Sequence, residues 1–379
     1  MDVADFDFEL PDELIAQEPP AKRGGSRLLI LDRRSGHVVH DTFLNLGRYL
    51  GAGDLLVVND TRVFPARLLG HRVPSGGAVE CLLVARSPKP DHLRQGYGGP
   101  PKLHAKAEAR SPAFRGEAEE AWEALMHPGQ KLKPGALVLF ERDGIALHGE
   151  VLGRHFHGRR TIRLWSDDGR PVSEVIDRIG HIPLPPYIKR ADRADDRERY
   201  QTVYAQSRGS IAAPTAGLHF TPELLEDLAR AGIERVALTL HVGYGTFKPV
   251  RADRVEEHRV DAEHFAVSDV TAEALTRARR EGRRIIAVGT TTTRALESLA
   301  VSDGRTVMPG TGETDVFIAP GHRFRLVDGL ITNFHLPRSS LLMLVAAFAG
   351  REPVLAAYRE AVARGYRFYS YGDAMLIVG

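Results

Sequence analysis

Between Ser210 and Phe247 the chain reads SIAAPTAGLHF (210–220), TPELLEDLARAG (221–232), IERVALTL (233–240) and HVGYGTF (241–247), and this stretch decides the fold. Thr221 stands where a helix cap is needed, Pro222 suits the first turn, and Leu224, Leu225 and Leu228 recur on one face. Gly232 predicts the stop. Glu234 to Leu240 then alternates Val236, Leu238 and Leu240, the pattern of a buried strand. The unit is therefore loop, helix, strand, loop. Each loop carries a histidine, His219 or His241, among residues small enough for a backbone to approach a ligand closely. A lone Gly-x-Gly reads better as a tight turn; two such loops bracketing one helix–strand unit predict a ligand cleft.

Outward from this unit the same grammar repeats. Leu55 to Val58 is a continuous apolar run, as in a strand buried on both faces, and Asn59-Asp60-Thr61-Arg62 follows it. Ligands in open α/β sheets sit beyond the carboxyl ends of strands, so this segment is a candidate site, with a polar turn in which Asp60 caps its own backbone as the competing reading. Thr271 is the expected cap of a helix reaching Glu281, with Gly282 closing it. Ile285 to Val288 predicts another buried strand, and Gly289-Thr290-Thr291-Thr292-Thr293-Arg294 opens a helix; on the residues alone this reads first as a Thr-rich cap, with an anion or carboxylate site at the helix N-terminus as the alternative. Neither a Gly-Lys-[Ser/Thr] phosphate loop nor a Gly-x-Gly-x-x-Gly fingerprint is present. Glu313 to Ile318 and Leu330 to His335 predict further strands; Ser339 or Ser340 caps an apolar helix ending at Gly350, and Pro353 starts a second. Alternating strands and helices give an α/β domain.

From Leu68 to about Trp165 the pattern is β: Val79 to Ala85, Leu137 to Phe140, Ile145 to Leu152 and Thr161 to Trp165 read as short strands with Gly turns. This predicts a small antiparallel barrel, residues 68–166, inserted into an α/β domain made of 1–67 and 167–379. Ser87 to Glu120, with its prolines and GYGGPP run, reads as a flexible insertion within it.

Charge is nearly balanced, with 51 Lys and Arg against 49 Asp and Glu, which argues against binding nucleic acid by bulk charge. Cys81 is the only cysteine, which excludes an internal disulfide and fits a reducing cytosol. No zinc-type histidine spacing and no Gly-x-Ser-x-Gly elbow occurs, so no metal is expected. No apolar run is long enough to span a membrane. A monomer in the cytoplasm is expected.

The runs APTAGLHFT (213–221), TLHVGYGTFKPV (239–250), DLLVVNDTRVFPARL (54–68), GHIPLPPYIKR (180–190), AVGTTTTRALES (287–298), LITNFHLPRSSLLMLVAAFAG (330–350) and YRFYSYGDAMLI (366–377) make the sequence resemble the S-adenosylmethionine:tRNA ribosyltransferase-isomerase family of queuosine biosynthesis. The resemblance is collinear from Asp7 to the end of the chain. It implies that S-adenosylmethionine, as a substrate and not a prosthetic group, donates its ribosyl group. The acceptor would be an aminomethyl-deazaguanine base at the wobble position of a tRNA, with adenine and methionine released.

That chemistry needs proton transfer, an environment for a sulfonium, a carboxylate site and faces for stacking bases. At the positions the resemblance marks, His219 and His241 suit an acid or base near neutral pH, Glu263, Asp315 and Asp373 suit offsetting the cationic sulfonium, and Thr290, Thr291 and Arg294 suit the methionine carboxylate. Phe220, Phe247 and Tyr371 stack on bases. Asn59, Asp60, Thr61, Arg62, Thr215, Gly217, Gly243, Gly245, Thr246, Gly289, Asn333 and His335 carry over as binding positions. Asp261 departs from the family, which often has a histidine there. Two other classes compete. An S-adenosylmethionine-dependent RNA methyltransferase would want a Gly-rich loop after its first strand, and a non-catalytic RNA-binding protein would want a broad basic surface.

Overall fold

The computed structural model describes residues 1–87, 119–155, 158–247 and 250–379, with the side chains of Thr246 and Phe247 excepted. The expected insertion at 87–120 falls almost wholly outside them. Its last two residues, Glu119 and Glu120, belong to a strand. Contacts divide the chain into two compact units, Met1–Val63 with Leu184–Gly379, and Phe64–Pro183.

In chain order the strands are β1 (Arg27–Asp32), β2 (Val38–Thr42), β3 (Leu55–Asn59), β4 (Thr61–Val63), β5 (Arg67–Val73), β6 (Ala78–Arg86), β7 (Glu119–His127), β8 (Leu137–Arg142), β9 (Ile145–Arg154) and β10 (Arg159–Trp165). After them come β11 (Ser207–Ser210), β12 (Glu234–Leu240), β13 (Glu263–Val267), β14 (Ile285–Val288), β15 (Val301–Ser302), β16 (Thr306–Val307), β17 (Gly310–Thr314), β18 (Gly329–Asn333) and β19 (Ala374–Val378). The larger unit is built on a nine-stranded sheet ordered β17-β13-β12-β3-β14-β18-β19-β1-β2. Its centre, β12-β3-β14-β18, is parallel. β19 turns antiparallel to β18 and β13 antiparallel to β12.

The run Leu55–Val58 shows why the sheet forms. Leu55 and Val57 pack in one apolar cluster and Leu56 and Val58 in another, so successive side chains go to opposite faces. Burying each contributes roughly 1.5–3 kcal/mol relative to leaving it in water. Helices complete both layers. The α1 helix (Val172–Ile179) belongs to the smaller unit and the one-turn α2 (Asp196–Arg199) lies in a loop. The α3 helix (Pro222–Arg230) covers one face with Leu224 and Leu228; Thr221 caps it, accepting from the Leu224 N–H at 3.1 Å. The α4 (Asp269–Glu281), α5 (Thr290–Ser298), α6 (Ser340–Ala349) and α7 (Arg351–Ala363) helices cover the other. Thr271 is not the α4 cap: Ser268 accepts from its N–H at 3.2 Å, while the Thr271 hydroxyl donates to the Ala237 carbonyl at 2.6 Å. The strand expected over Glu313–Ile318 sits earlier, as β17, because pairing with β13 runs only from Gly310 to Thr314.

The smaller unit is a closed antiparallel barrel, β10-β7-β6-β5-β8-β9. Val79, Cys81 and Leu83 alternate inward, and burial raises the pKa of the Cys81 thiol. Gly149 is required at closure: a Cβ there would stand 2.7 Å from Val138 and 2.8 Å from Ile162. The unit's boundary lies beyond the expected residue 166. Buried Val172, Val175 and Ile176 of α1 belong with the barrel because the helix packs on β8 and β9. Among the described residues no single helix is long and apolar enough to cross a membrane; α6 and α7 qualify only as a pair, bent by 117°.

Candidate functional site

Because β12, β3, β14 and β18 are parallel, their carboxyl ends share one edge of the sheet. That edge delivers His241–Val242, Asn59–Asp60, Gly289–Thr291 and Asn333–His335. A cleft with about 550 Å³ of empty space, part of it open to solvent, lies there. Gly289, Thr290, Thr291, Thr332, Asn333 and His335 form one side of it. The loop Ala212–Ala216 and Val242 form another, and Tyr187, Leu341, Tyr369 and Ser370 complete the wall.

Gly289 has φ +95°, a conformation that favours glycine, and this turns the chain sharply from β14 into α5. Thr292 and Thr293 turn their hydroxyls back onto the carbonyls of Val288 (2.6 Å) and Gly289 (3.1 Å). Thr290 and Thr291 instead line the cleft, at a helix N-terminus that no side chain caps. Opposite them, the rings of Tyr187 and Tyr369 meet with centroids 3.9 Å apart, and the Tyr187 hydroxyl bonds Ser370. Tyr369 is held at φ +73°, unusual for an aromatic residue, by hydrogen bonds through both its N–H and its carbonyl.

His219 does not face this cleft as a free imidazole. It is 4% exposed, its Nδ1 lies 2.8 Å from Ser26 Oγ, and its Nε2 lies 3.1 Å from the Asn333 amide nitrogen. Burial lowers its pKa to about 4, so the ring is neutral at pH 7. The cause is desolvation in the core. His335 is the imidazole that lines the cleft. Its Nε2 is 2.8 Å from Thr332 Oγ1, and burial lowers its pKa to about 3.

The segment after β3 is a brace. Asn59 donates to the Leu240 carbonyl (2.9 Å) and accepts from the N–H groups of Leu240 (3.0 Å) and Thr61 (3.1 Å), tying β3 to β12. Asp60 accepts from Thr239 (2.6 Å), and Thr61 bonds His241 Nδ1 (2.8 Å). Arg62 is exposed. Burial lowers the pKa of His241, and Asp60 partly opposes this. The ring sits against Gly209, where a Cβ would come within 2.7 Å of it.

A second cavity, lined by Gly245, Asp261, Glu263 and Arg294 among others, meets the first at Leu341. Here Glu263, 4% exposed, accepts from Arg294 at 2.5 Å and from the Gly243 N–H at 2.9 Å. Arg294 also donates to the carbonyls of Val316 (3.0 Å) and Thr314 (3.3 Å). Glu263 and Arg294 thus neutralise each other. Gly245 abuts Asp261, whose side chain a Cβ would meet at 3.0 Å.

The remaining expected residues are dispersed. Asp315 is exposed. Asp373 accepts from the Arg27 backbone N–H (2.9 Å) and guanidinium (2.8 Å) and from the Arg367 N–H (2.8 Å), so its charge is already matched. Phe220 packs in the core against Phe43 and Tyr204. Tyr371 is buried with its hydroxyl on Asp196 at 2.9 Å. The aromatic rings that line the cleft are those of Tyr187 and Tyr369. Gly217 is a packing glycine: a Cβ would lie 2.2 Å from the Tyr204 hydroxyl. Thr215 lines the cleft. Thr246 and Phe247 lie in a short turn, Tyr244–Phe247, with side chains outside the description.

Fold and site together define a class: an α/β protein with an inserted β-barrel, whose cleft opens where the parallel strands end. The chain belongs to the queuosine biosynthesis protein family, which it matches over residues 3–377, and it is an enzyme. A Heliobacterium modesticaldum protein is 50% identical over 379 residues, covering 100% of both chains, and one from Caldanaerobacter subterraneus is 46% identical over 375 residues, 99% of each. Both are named S-adenosylmethionine:tRNA ribosyltransferase-isomerase. The crystal structure of a Thermotoga maritima S-adenosylmethionine tRNA ribosyltransferase is 37% identical, with a TM-score of 0.52 over 99% of this chain and 100% of that one.

Proposed function

We propose that this enzyme transfers and isomerises the ribosyl group of S-adenosylmethionine onto 7-aminomethyl-7-deazaguanine at the tRNA wobble position, giving epoxyqueuosine with adenine and methionine released. The observation that carries the reading is the cleft at the carboxyl ends of β14 and β18, within a chain that relatives of that name match end to end. Thr290 and Thr291 at the α5 N-terminus suit the methionine carboxylate, since unpaired N–H groups and the helix dipole favour an anion there. Tyr187 and Tyr369 offer an apolar face to a base. His335, kept neutral by burial, is the imidazole we assign to proton transfer in the cleft. His219 acts through Asn333 as a positioning residue.

The test incubates the enzyme with S-adenosylmethionine and tRNA bearing the aminomethyl base. Adenine and methionine should appear together, and the digested tRNA should gain a cyclopentane epoxide. S-adenosylhomocysteine with a methyl-sized increment would mark a methyltransferase instead. Tight RNA binding with no turnover would mark a binding protein.

A further inference from the structure

Asn333 is 2% exposed, lines the cleft, and has three polar demands on its amide. Its nitrogen spends both N–H groups on protein: one on the Tyr369 carbonyl at 3.0 Å, the other on His219 Nε2 at 3.1 Å. The orientation is forced, because a flipped amide would set its oxygen against that carbonyl, two acceptors face to face. The same pairing fixes the histidine. Nε2 must accept, so Nδ1 carries the proton and donates to Ser26. A buried, neutral imidazole keeps this arrangement at pH 7. What remains is Asn333 Oδ1, buried and without a hydrogen-bond partner among the described residues. A buried acceptor left unmatched is costly, so such an atom in a ligand cleft points to a ligand donor.

The surroundings select the donor. Tyr187, Tyr369, Ala212, Ala213 and Val242 make the nearby walls flat or small and apolar, which suits a planar heterocycle. The described cleft lining contains no carboxylate, so it offers an ammonium group no countercharge. We infer that Asn333 Oδ1 accepts a hydrogen bond from the 6-amino group of adenine and thereby selects a 6-aminopurine over a 6-oxopurine. This rests on the reading of S-adenosylmethionine as the donor. It differs from the usual two-pronged pairing of asparagine with the 6-amino group and N7 of adenine. The nitrogen prong is already taken by Tyr369 and His219, so N7 goes unread.

Binding of free bases to the full-length enzyme, measured by titration calorimetry, tests this directly. Adenine and 7-deazaadenine should bind alike. Purine, which lacks the amino group, and hypoxanthine, which sets an oxygen against Oδ1, should each bind about tenfold or more weakly. Asn333→Ala should bring adenine down to the affinity of purine; the base series on the unmodified chain stands whether or not that variant folds. Equal binding of adenine, purine and hypoxanthine, absence of adenine binding, a large loss with 7-deazaadenine, or 7-aminomethyl-7-deazaguanine displacing adenine as the preferred base each overturns the assignment. Adenine release during turnover alongside such a result would leave the ribosyl-transfer reading intact. S-adenosylhomocysteine as the product would remove that reading itself.

Discussion

Replacing Glu263 separates a structural brace from a carboxylate that offsets the sulfonium. The wild-type carboxylate satisfies Arg294 at 2.5 Å and the Gly243 N–H at 2.9 Å, at a site where the glutamate is 4% and the arginine 8% exposed. Among the described residues, alanine leaves the guanidinium with the carbonyls of Val316 and Thr314 as hydrogen-bond partners and without its paired carboxylate. Breaking a buried pair in this way costs about 3–5 kcal/mol, or two to nearly four decades in the unfolding equilibrium. Glutamine has one oxygen where the carboxylate has two, so it serves Arg294 or Gly243 but not both; its cost should be about 1.5–3 kcal/mol. Urea unfolding is the assay, and the probe matters. Trp122 and Trp165, the only tryptophans, both lie in barrel strands β7 and β10, so their fluorescence reports the smaller unit. Amide exchange in β12 and β13 reports the unit that holds Glu263. A Glu263→Gln enzyme that unfolds like the wild type while its turnover falls by about 10²–10³ would refute the brace and restore the role of offsetting the sulfonium.

Acid should weaken the fold through its buried histidines. His219 and His335 have folded pKa values lowered to about 4 and about 3, so the unfolded chain binds their protons first. Stability is then full above about pH 6.5 and falls as pH drops toward 4, by about 1.4 kcal/mol per pH unit for each histidine; His219→Gln should remove one such slope in pH-dependent urea midpoints. Thr290→Val and Thr291→Val should each raise the KM for S-adenosylmethionine about five- to tenfold with unchanged melting, from the loss of one hydrogen bond near 1 kcal/mol; an unchanged KM would take the carboxylate away from α5. Tyr371→Phe should keep turnover per folded molecule while lowering the melting temperature, because it strips Asp196 of a donor in the dry interior; a turnover loss at wild-type stability would return Tyr371 to the chemistry.

The sheet was legible because its signals are local. Leu55–Val58 is apolar at four successive positions, and the Thr221–Pro222 cap and the Gly289 turn are written in adjacent residues. Thr290 and Thr291 stand out because they follow a strand at a Gly turn, whereas Asn333 and His335 come from the family resemblance; all four line the cleft. What sequence order hides is which polar group answers which. Asn59, Asp60 and Asp373 look like ligand residues, yet their partners Leu240, Thr239 and Arg27 lie 181, 179 and 346 positions away. Tyr369 and Tyr371 stand two apart in one motif, and only the turn at φ +73°, closed by Gly372 against the Arg367 carbonyl, decides which ring lines the cleft and which is buried on Asp196. Tyr187 and Ser370 carried no separate signal.

The neighbours β6 and β7 bear on how this chain tolerates length. Arg86 pairs with Trp122, and the Ser87 N–H donates to the Ala121 carbonyl at 2.9 Å, so the two ends of the intervening sequence are stitched side by side by the barrel itself. The ladder fixes the separation of those ends whatever runs between them, and each doubling of a flexible connection adds only about 0.6 kcal/mol of closure entropy. For protein engineering this makes the β6–β7 junction a docking port. A folded reporter whose own termini lie close together can be spliced there, away in sequence from every residue of the strand-end cleft, to follow the enzyme without touching its chemistry.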